Sequence, residues 1–514
     1  MPIQGWSIAA VRAAEAAAMA RLPEGELMNR AAHGLARVVS GRLDPRADDH
    51  VVVLVGPGDN GGDALYAAAI LARSDLAAKL TCVLTFDRAH AGGLEAVRRS
   101  SAVIIDATTD TGAAQALADL SAADIVIDGI AGIGGRPGLP DRVQRIVEAV
   151  PDEAYVVAVD LPSGAHPDGE VIHPNCLIAD ETVTFGVPKP VHVLATSGLC
   201  GQLTTVDIGL DLAAMPAPVA ERLTLADVAR LWPVPGPADD KYTRGVLGVV
   251  AGGPEYTGAA LLSVLAAVCA GAGMVRYVGP PGPSDLVRAQ VPEAVHGWPQ
   301  GSQRVQAWVV GPGLNVLDDS PAGQAQVQAA RAALDSDLPC VIDAGGLDLI
   351  GGPRERAGAR SLLTPHAGEL ARLLSRVDPD VVSGEQAAPD AETVRARPVA
   401  HARRAAQLLH ATVLLKGATT VVVPPPVSGL PLRAQADAPP WLATAGAGDV
   451  LAGLAGMLLA ADVDPLDAGA LAALIHGLAA ARVNPGGPIR ARDVALTLPG
   501  VIADALRPGR DGHS

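Results

Sequence analysis

The stretch LATAGAGDVLAG, residues 442–453, predicts a glycine turn that opens a helix and places a carboxylate in the first helical turn. Gly446 and Gly448 leave the N–H groups of that turn open to an anion, which the helix dipole also favours. Asp449 would repel a phosphate, unless it takes a proton from an attacking hydroxyl group while the N–H groups neutralise the phosphoryl group. These residues alone are equally compatible with a plain turn whose aspartate is simply favoured at a helix start.

Length, charge and cysteine use limit the class of protein. A chain of 514 residues is long enough for two or more domains with separate cores. A formal net charge of −16 argues against nucleic acid as a partner. Arg12 and Glu15 interrupt what would be the apolar core of a signal peptide, and the uncharged segment 258–275 is predicted as a buried helix. We therefore expect a cytoplasmic protein without a membrane partner, whose scattered cysteines are reduced thiols.

Two series of short β-branched runs alternate with helical stretches, the first within residues 51–160 and the second within 246–423. This pattern is typical of parallel sheets enclosed between helices. Residues 215–237, rich in proline, are predicted to connect the two series, whereas residues 377–398 lack periodicity and are predicted as a surface loop. The sequence therefore predicts two three-layer α/β domains.

Three motifs of the second half follow predicted strands, where open α/β sheets bind ligands. They are Gly311-Pro312-Gly313, Thr364-Pro365-His366 and Leu415-Lys416-Gly417-Ala418-Thr419-Thr420. Each alone is explained by a turn, a capped or solvated histidine, or a strand-end charge. The chain uses arginine almost everywhere, yet lysine stands at 189 and 416, which suggests that a compact ammonium group is needed there.

These motifs, together with YTGAALLSVLAAVCAGAGMV (256–275), LLTPHAGEL (362–370) and Ile475-His476-Gly477, resemble the ADP/ATP-dependent NAD(P)H-hydrate dehydratases. The resemblance covers roughly residues 224–505 and implies a ribokinase-like domain over 224–514. It implies that ADP or ATP, bound with Mg²⁺, contacts Lys416, Gly417, Ala418, Thr419, Thr420 and Gly448, and that the hydrate contacts Ala259, Gly313, His366 and Asp449. The family's usual Asp-Ala-Asp is here Asp343-Ala344-Gly345, which leaves the role of the second carboxylate open.

The implied reaction fits the residues. Asp449 is the implied catalytic base, which accepts the proton of the hydroxyl group on carbon 6 of the hydrate as that oxygen attacks the terminal phosphate. Phosphate is a better leaving group than hydroxide, so the ring nitrogen then expels it. The net reaction is a dehydration carried out by kinase-like machinery.

The first half carries a glycine-rich loop, residues 56–63, and polar strand ends at Asp128, Asp160 and Ser163. Oxygen atoms of Asn60, Asp128 and Ser163 could hold a hard cation at one edge of the sheet. The same residues would serve equally well as caps of helices or turns.

Residues 1–214 resemble the NAD(P)H-hydrate epimerases, through GPGDNGGD (56–63), VIDGIAGIG (126–134), VAVDLPSGAHPDG (157–169) and ADETVTFGVPKP (179–190). The resemblance implies a Rossmann-like domain with K⁺ held by Asn60, Asp128 and Ser163. The implied hydrate contacts are Asp59, Asn60, Gly61, Gly62, Asp63, Gly132, Ile133, Gly134, Gly135, Arg136, Pro137, Gly138 and Asp160. A carboxylate is expected to act as catalytic acid and base, and either Asp160 or Asp128 could do so.

Together the two resemblances imply a nicotinamide nucleotide repair enzyme. The first domain would interconvert the R and S hydrates of NADH and NADPH, and the second would dehydrate the S form. We also expect a homo-oligomer. The alternative is a ribokinase-like vitamin kinase fused to a non-catalytic binding module, which would leave a stable phosphate ester.

Overall fold

The computed structural model describes residues 1–44, 48–74, 78–171, 173–299, 304–351 and 357–507. The chain forms two compact units, Gln4–Ala220 and Glu221–Ser514, and the second also includes Met1–Ile3. Residues 508–514, which end the predicted dehydratase domain, lie outside the described residues. The predicted domain limits, 1–214 and 224–514, stay predictions.

The N-terminal unit contains a seven-stranded parallel sheet with helices on both faces. In spatial order, the strands are Val103–Asp106, Lys79–Leu84, His50–Val55, Ile125–Gly129, Tyr155–Val159, Glu181–Phe185 and Gln202–Val206. The helices are Ile8–Met19, Glu26–Ser40, Asp59–Leu71, Ala91–Arg98, Asp110–Leu120 and Asp141–Val147, with 3₁₀ turns at Pro190–His192, Ala195–Leu199 and Leu212–Ala214. Strand His50–Val55 is buried throughout because its alternate side chains enter two different cores.

Strand order in this sheet reverses between His50–Val55 and Ile125–Gly129. The crevice at the carboxyl ends of such strands is the usual ligand site of an open α/β sheet. The backbone there is closely packed, since a Cβ atom on Gly56 would lie 1.7 Å from the Ile130 carbonyl oxygen. Only glycine fits this position, which brings the glycine-rich loop against the end of the neighbouring strand.

The C-terminal unit is built on a sheet of which nine described strands lie wholly within the unit. In spatial order, these strands are Leu432–Gln435, Thr420–Val423, Thr412–Leu415, Ser361–Leu363, Cys340–Ile342, Ala307–Val310, Val246–Val250, Met274–Val278 and Val295–His296. Two further short strands, Ile3–Gly5 and Ala220–Arg222, include residues of both units. The pairings from Thr412–Leu415 to Val295–His296 are parallel, and those of Thr420–Val423 are antiparallel.

The helices of this unit are Leu225–Leu231, Thr257–Ala270, Pro281–Gln290, Pro321–Leu334, Ala367–Val377, Pro379–Val382, Ala391–Ala396, Pro398–Leu409, Ala447–Ala460, Pro465–Val483 and Ala491–Ala505, with 3₁₀ turns at Ala344–Leu349, Pro426–Ser428 and Pro440–Leu442. Helices Thr257–Ala270 and Ala447–Ala460 pack closely through small residues. A Cβ atom on Gly453 would lie 2.1 Å from the Ser263 carbonyl oxygen. This close approach fixes the helix that begins with the glycine turn.

One helix of the described residues, Pro465–Val483, is long and apolar enough to span a membrane by length and composition, and 67% of its apolar window is buried. Its Leu466, Leu471 and Ile475 side chains belong to the main core of the unit. Packing inside the unit therefore accounts for its apolar composition.

The prediction of two α/β domains is confirmed. The prediction of a loop over residues 377–398 is wrong in part, because helices Pro379–Val382 and Ala391–Ala396 form there. Asp378 and Asp390 cap these helices through their side chains, and both helices are too short to show periodicity.

Candidate functional site

The predicted glycine turn and helix are present in the C-terminal unit. Gly446 has a positive φ of 88° and caps helix Ala447–Ala460, with Asp449 in the first turn. The Ser263 hydroxyl donates a 3.1 Å hydrogen bond to the Asp449 carbonyl oxygen. The neighbouring helix thus fixes the backbone from which the Asp449 carboxylate projects.

A partly buried ion pair lies beside this turn. Lys416 Nζ donates to Asp343 Oδ1 at 2.8 Å, and the Thr364 hydroxyl donates to the same oxygen at 2.9 Å. A Cβ atom on Gly448 would lie 3.2 Å from Lys416 Nζ and 3.9 Å from Asp343 Oδ2. The structure therefore brings together Lys416 and Gly448, which the sequence assigned to the same nucleotide.

Asp449 lies in an environment that disfavours its charged form. Burial raises the pKa of Asp449 to about 7, the negative charge of Asp343 adds to the rise, Lys416 opposes it, and Glu369 raises it further. For Lys416, burial lowers the pKa, but Asp343 and Glu369 outweigh burial and raise it. A carboxylate that titrates near neutral pH beside a retained ammonium group suits a general base.

His366 caps helix Ala367–Val377. Its Nδ1 accepts hydrogen bonds from the N–H groups of Gly368 and Glu369, at 3.0 and 3.3 Å. The Glu369 carboxylate accepts from the His366 N–H at 2.8 Å, which completes a capping box. Sequence reasoning missed Glu369 as a site residue, although the spacing of His366 and Glu369 was the available signal.

The remaining predicted contacts fall into two groups. Gly313, with a φ of 67°, lies against Ala259, since a Cβ atom on Gly313 would be 2.8 Å from the Ala259 Cβ. Ala259 stands one turn before Ser263 on helix Thr257–Ala270, and Ser263 contacts Asp449. Gly417, Ala418 and Thr419 follow Lys416 in the turn after strand Thr412–Leu415, and the first two are exposed. Thr420 begins the next strand, Thr420–Val423.

Gly345, which replaces the second aspartate of the family's usual Asp-Ala-Asp, lies in a tightly packed loop. A Cβ atom on Gly345 would lie 2.0 Å from the Leu314 carbonyl oxygen. An aspartate could not be accommodated there without a backbone shift. Asp343 is therefore the carboxylate that this segment presents beside Lys416.

In the N-terminal unit, Asp128 and Ser163 are directly bonded. The Ser163 hydroxyl donates to Asp128 Oδ1 at 2.6 Å and the Ser163 N–H donates to Oδ2 at 2.7 Å. Burial raises the pKa of Asp128 to about 6, despite these bonds and a further one from the Ile130 N–H. Asn60 packs against Gly132, and its amide nitrogen is buried without a partner.

This donor set fits a hard cation. Asp128 makes no ion pair within the described part of the chain, so a cation would offset its buried charge. The described residues contain no group of three His, Cys, Asp or Glu side chains suited to a metal. Any cation there would need amide, hydroxyl or main-chain oxygens, as the predicted set of Asn60, Asp128 and Ser163 provides.

Asp160 has the opposite electrostatic environment. Lys189 is fully buried, and its ammonium group donates to Asp160 Oδ1 at 2.5 Å, to Thr184 Oγ1 at 2.9 Å and to the Phe185 carbonyl oxygen at 3.1 Å. Burial alone would raise the pKa of Asp160, but the charge and hydrogen bond of Lys189 outweigh it and lower the pKa. The two carboxylates that sequence reasoning could not separate therefore differ, because the pKa of Asp160 is lowered whereas that of Asp128 is raised.

The Asp160 backbone is also held. Its φ of 65° lies in the left-handed region, and its carbonyl oxygen lies 2.7 Å from His192 Nε2. The backbone N–H of Lys189 donates a hydrogen bond to His192 Nδ1, so the ring proton of His192 is on Nε2. Nε2 then donates this proton to the carbonyl oxygen of Asp160. Burial lowers the pKa of His192 to about 4, which keeps this ring neutral.

A cavity of about 1000 Å³ lies in the N-terminal unit and is lined by Asp59, Asp63, Glu15, Tyr66 and His90, among others. Burial, reinforced by nearby acidic groups, raises the pKa of Asp63 well above its ordinary value. Within the described residues, Asp160 and the predicted segment 132–138 do not line this cavity. In that segment Gly138 is tied to Gly164 by a 2.8 Å backbone hydrogen bond, and Gly134, Arg136 and Pro137 are exposed.

Two family comparisons cover both halves. Residues 247–488 match the NAD(P)H-hydrate dehydratase family, and residues 24–191 match the YjeF-related protein N-terminus. The bifunctional NAD(P)H-hydrate repair enzyme Nnr of Mycobacterium leprae is 42% identical over 94% of each chain. The enzyme of the same name from Mycobacterium tuberculosis is 42% identical over 90% of this chain and 91% of that one.

The chain belongs to the bifunctional NAD(P)H-hydrate repair enzymes. A similar solved structure is that of the ADP/ATP-dependent NAD(P)H-hydrate dehydratase from Bacillus subtilis, co-crystallised with ATP and Mg²⁺. It is 25% identical, with a TM-score of 0.45, over 55% of this chain and 98% of that one. The family matches and the two relatives confirm the resemblance of both halves to this bifunctional repair family.

Proposed function

We propose that the protein restores hydrated NADH and NADPH by two activities. The N-terminal unit interconverts the R and S hydrates, and the C-terminal unit dehydrates the S form at the expense of ADP or ATP. The observation that carries the proposal is the position of Asp449 in the glycine turn, beside Gly448 and the Lys416–Asp343 pair. A base, an anion site and a phosphate-binding cation are thus assembled at one helix start.

In the dehydratase reaction, Asp449 takes the proton of the carbon 6 hydroxyl as this oxygen attacks the terminal phosphate. The N–H groups of the glycine turn and the Lys416 ammonium group stabilise the negative charge of the transferred phosphoryl group. Phosphate then leaves carbon 6 as the lone pair of the ring nitrogen forms an iminium bond. Loss of a proton from carbon 5, which the departing phosphate can accept, forms the double bond between carbons 5 and 6 and restores the dihydronicotinamide. Ala259, Gly313 and His366 are the proposed contacts of the hydrate.

Lys416, residues 417–420 and Gly448 are the proposed contacts of the nucleotide. Asp343 Oδ1 is occupied by Lys416 and Thr364, whereas Oδ2 is turned toward Gly448, so Asp343 fits as a ligand of nucleotide-bound Mg²⁺. When bound, Mg²⁺ supplies charge neutralisation on the terminal phosphates.

In the epimerase reaction, the carbon 6 hydroxyl group takes up a proton and leaves as water while the ring nitrogen forms an iminium bond. Water then adds to the other face of carbon 6 and gives up a proton. We assign the ionised Asp160 to face this iminium cation, because the Lys189 ammonium group stabilises the charged form of Asp160. Both carboxylate oxygens of Asp128, in contrast, accept hydrogen bonds from Ser163. Asn60, Asp128 and Ser163 would hold K⁺ nearby, which supplies a fixed positive charge for the substrate phosphates. Asp59, Asp63 and residues 132–138 are the proposed contacts of the hydrate.

Product analysis tests the dehydratase assignment against the vitamin kinase alternative. Incubation with ADP and NADPH hydrate should release inorganic phosphate and restore the near-ultraviolet absorbance of the dihydronicotinamide in equal amounts. A phosphate ester that accumulates instead would support the kinase. The free thiols of all five cysteines suit the cytoplasm as the proposed place of action, and a homo-oligomer is the proposed assembly.

A further inference from the structure

One side chain, Glu369, contacts both residues through which the proposed dehydratase holds its two substrates. Glu369 Oε2 accepts a 2.8 Å hydrogen bond from the backbone N–H of His366 and lies 3.7 Å from Lys416 Nζ. Glu369 Oε1 lies 3.4 Å from His366 Nε2. The Glu369 side chain is only 12% exposed, so this carboxylate is shielded from competing water.

The backbones of the two contacted residues are also joined. His366 and Lys416 form a parallel β-bridge, and the Lys416 N–H donates to the Pro365 carbonyl oxygen at 2.9 Å. A shift of one residue is therefore transmitted to the other. The Glu369 side chain contacts both of these bridged residues.

The Glu369 carboxylate also lies beside the His366 ring. His366 Nδ1 accepts two backbone N–H groups, so the neutral ring carries its proton on Nε2. Glu369 Oε1 lies 3.4 Å from this nitrogen. A negative charge at this distance favours the tautomer with the proton on Nε2, as second partners of functional histidines commonly do.

We propose that Glu369 is a positioning residue that couples nucleotide binding at Lys416 to hydrate binding at His366. The inference rests on the proposed dehydratase function. Nucleotide phosphates attract the Lys416 ammonium group and weaken its hold on Glu369, which strengthens the attraction between Glu369 and His366. Bound nucleotide therefore raises the affinity for the hydrate, and bound hydrate raises the affinity for the nucleotide by the same factor.

The test is the KM for S-NADPH hydrate of the full-length protein, measured at limiting and at saturating ADP. For the wild type we expect the KM to fall about fivefold with ADP, the lower end of typical coupling. In Glu369→Gln the single amide oxygen still accepts a hydrogen bond from the backbone N–H of His366. The amide NH₂ group then lies beside Nε2 of the His366 ring, where two donors repel each other. This variant should show no fall in KM with ADP, whereas Glu392→Gln, at an exposed glutamate, should behave as the wild type.

A double-mutant cycle separates positioning from a general structural effect. If Glu369 acts through His366, Glu369→Gln should not change the hydrate KM further in a His366→Ala background. Additive effects, or an ADP-dependent fall in KM that persists in Glu369→Gln, would overturn the inference. If Glu369→Gln does not fold, Glu369→Asp is the second variant, since it keeps the negative charge but withdraws it from His366. An ADP-dependent fall in KM that persists in Glu369→Asp would likewise overturn the inference.

The proposed function is tested separately in the same assay. If the wild type released no phosphate from ADP in the presence of hydrate, the dehydratase proposal would fail. If the wild type turned over and Glu369→Gln kept its coupling, only the positioning role would fail.

Discussion

The Lys416 ammonium group lies 3.2 Å from the position that a Cβ atom would occupy on Gly448. Two segments that are distant in the sequence, the end of strand Thr412–Leu415 and the first turn of helix Ala447–Ala460, therefore meet with no side chain between them. Gly448 is required for this approach because any larger residue would occupy the space between the ammonium group and the open N–H groups.

Gly448→Ala should weaken ADP binding about tenfold, since its methyl group would displace Lys416 and cover the anion site; a tenfold loss corresponds to about 1.4 kcal/mol. Calorimetric titration with ADP and Mg²⁺ measures this directly. The matched control is Gly282→Ala, because Gly282 also lies in a helix but has open space where its Cβ would stand. Equal ADP affinity in the two variants would show that the contact with Lys416 is unimportant.

Asp449→Asn should reduce dehydration by about 10²- to 10⁴-fold, because the amide keeps the shape but accepts no proton. With a pKa of about 7, the wild-type kcat/KM should rise with pH up to that value and then level off. A rate that is independent of pH between 5 and 8, about two units below and one above this pKa, would remove Asp449 as the base.

The same raised pKa has a consequence for stability. Folding raises the pKa of Asp449 from 3.8 to about 7, so ionisation in this interval favours the unfolded chain, and its cost is complete above pH 7. We therefore expect the Tm of Asp449→Asn to exceed that of the wild type increasingly as the pH rises from 4 to 8, across and beyond this interval. Parallel Tm curves would contradict the raised pKa.

Lys189→Met should leave the burial of Asp160 unopposed, which raises the pKa of this carboxylate and shifts the pH dependence of epimerisation upward. Epimer interconversion by the full-length protein, followed without nucleotide across a pH series, measures the shift. Lys79→Met is the matched control, because Lys79 pairs with Asp119 in the same unit but is 56% exposed. An unchanged pH profile in Lys189→Met would count against an ionised Asp160 in the reaction.

Asp128→Asn should abolish a dependence of epimerisation on K⁺, because it removes the charge of the proposed cation site while an amide oxygen remains for Ser163. The rate of epimerisation is to be titrated with KCl at constant ionic strength, with LiCl as the balancing salt. The same half-saturating K⁺ concentration in variant and wild type would place the cation elsewhere.

Strand positions could be predicted where strands are buried on both faces, as at His50–Val55, because they read as continuous apolar runs. Strand Glu181–Phe185 was missed, since its buried Thr182 and Thr184 side chains make it read as polar. The buried Thr184 hydroxyl is fully hydrogen-bonded, because it donates to Asp160 Oδ1 and accepts from the Lys189 ammonium group.

The candidate site could be predicted where a motif keeps its residues together, as in the glycine turn around Asp449. Pairings across the fold could not. Lys189 and Asp160 are 29 residues apart, and no local pattern indicates that one ammonium group keeps the other residue ionised. Glu369 was missed because its spacing from His366 reads as an ordinary helix cap.

The most direct measurement of the whole account follows both hydrate epimers by chromatography after the full-length protein is added to a mixture of them. Without nucleotide, their ratio should reach equilibrium with no loss of total hydrate. With ADP and Mg²⁺, both should disappear in the wild type, whereas in Asp449→Asn they should equilibrate and persist. Loss of both epimers in Asp449→Asn, or a ratio that stays unchanged without nucleotide, would contradict the division of labour between the two units.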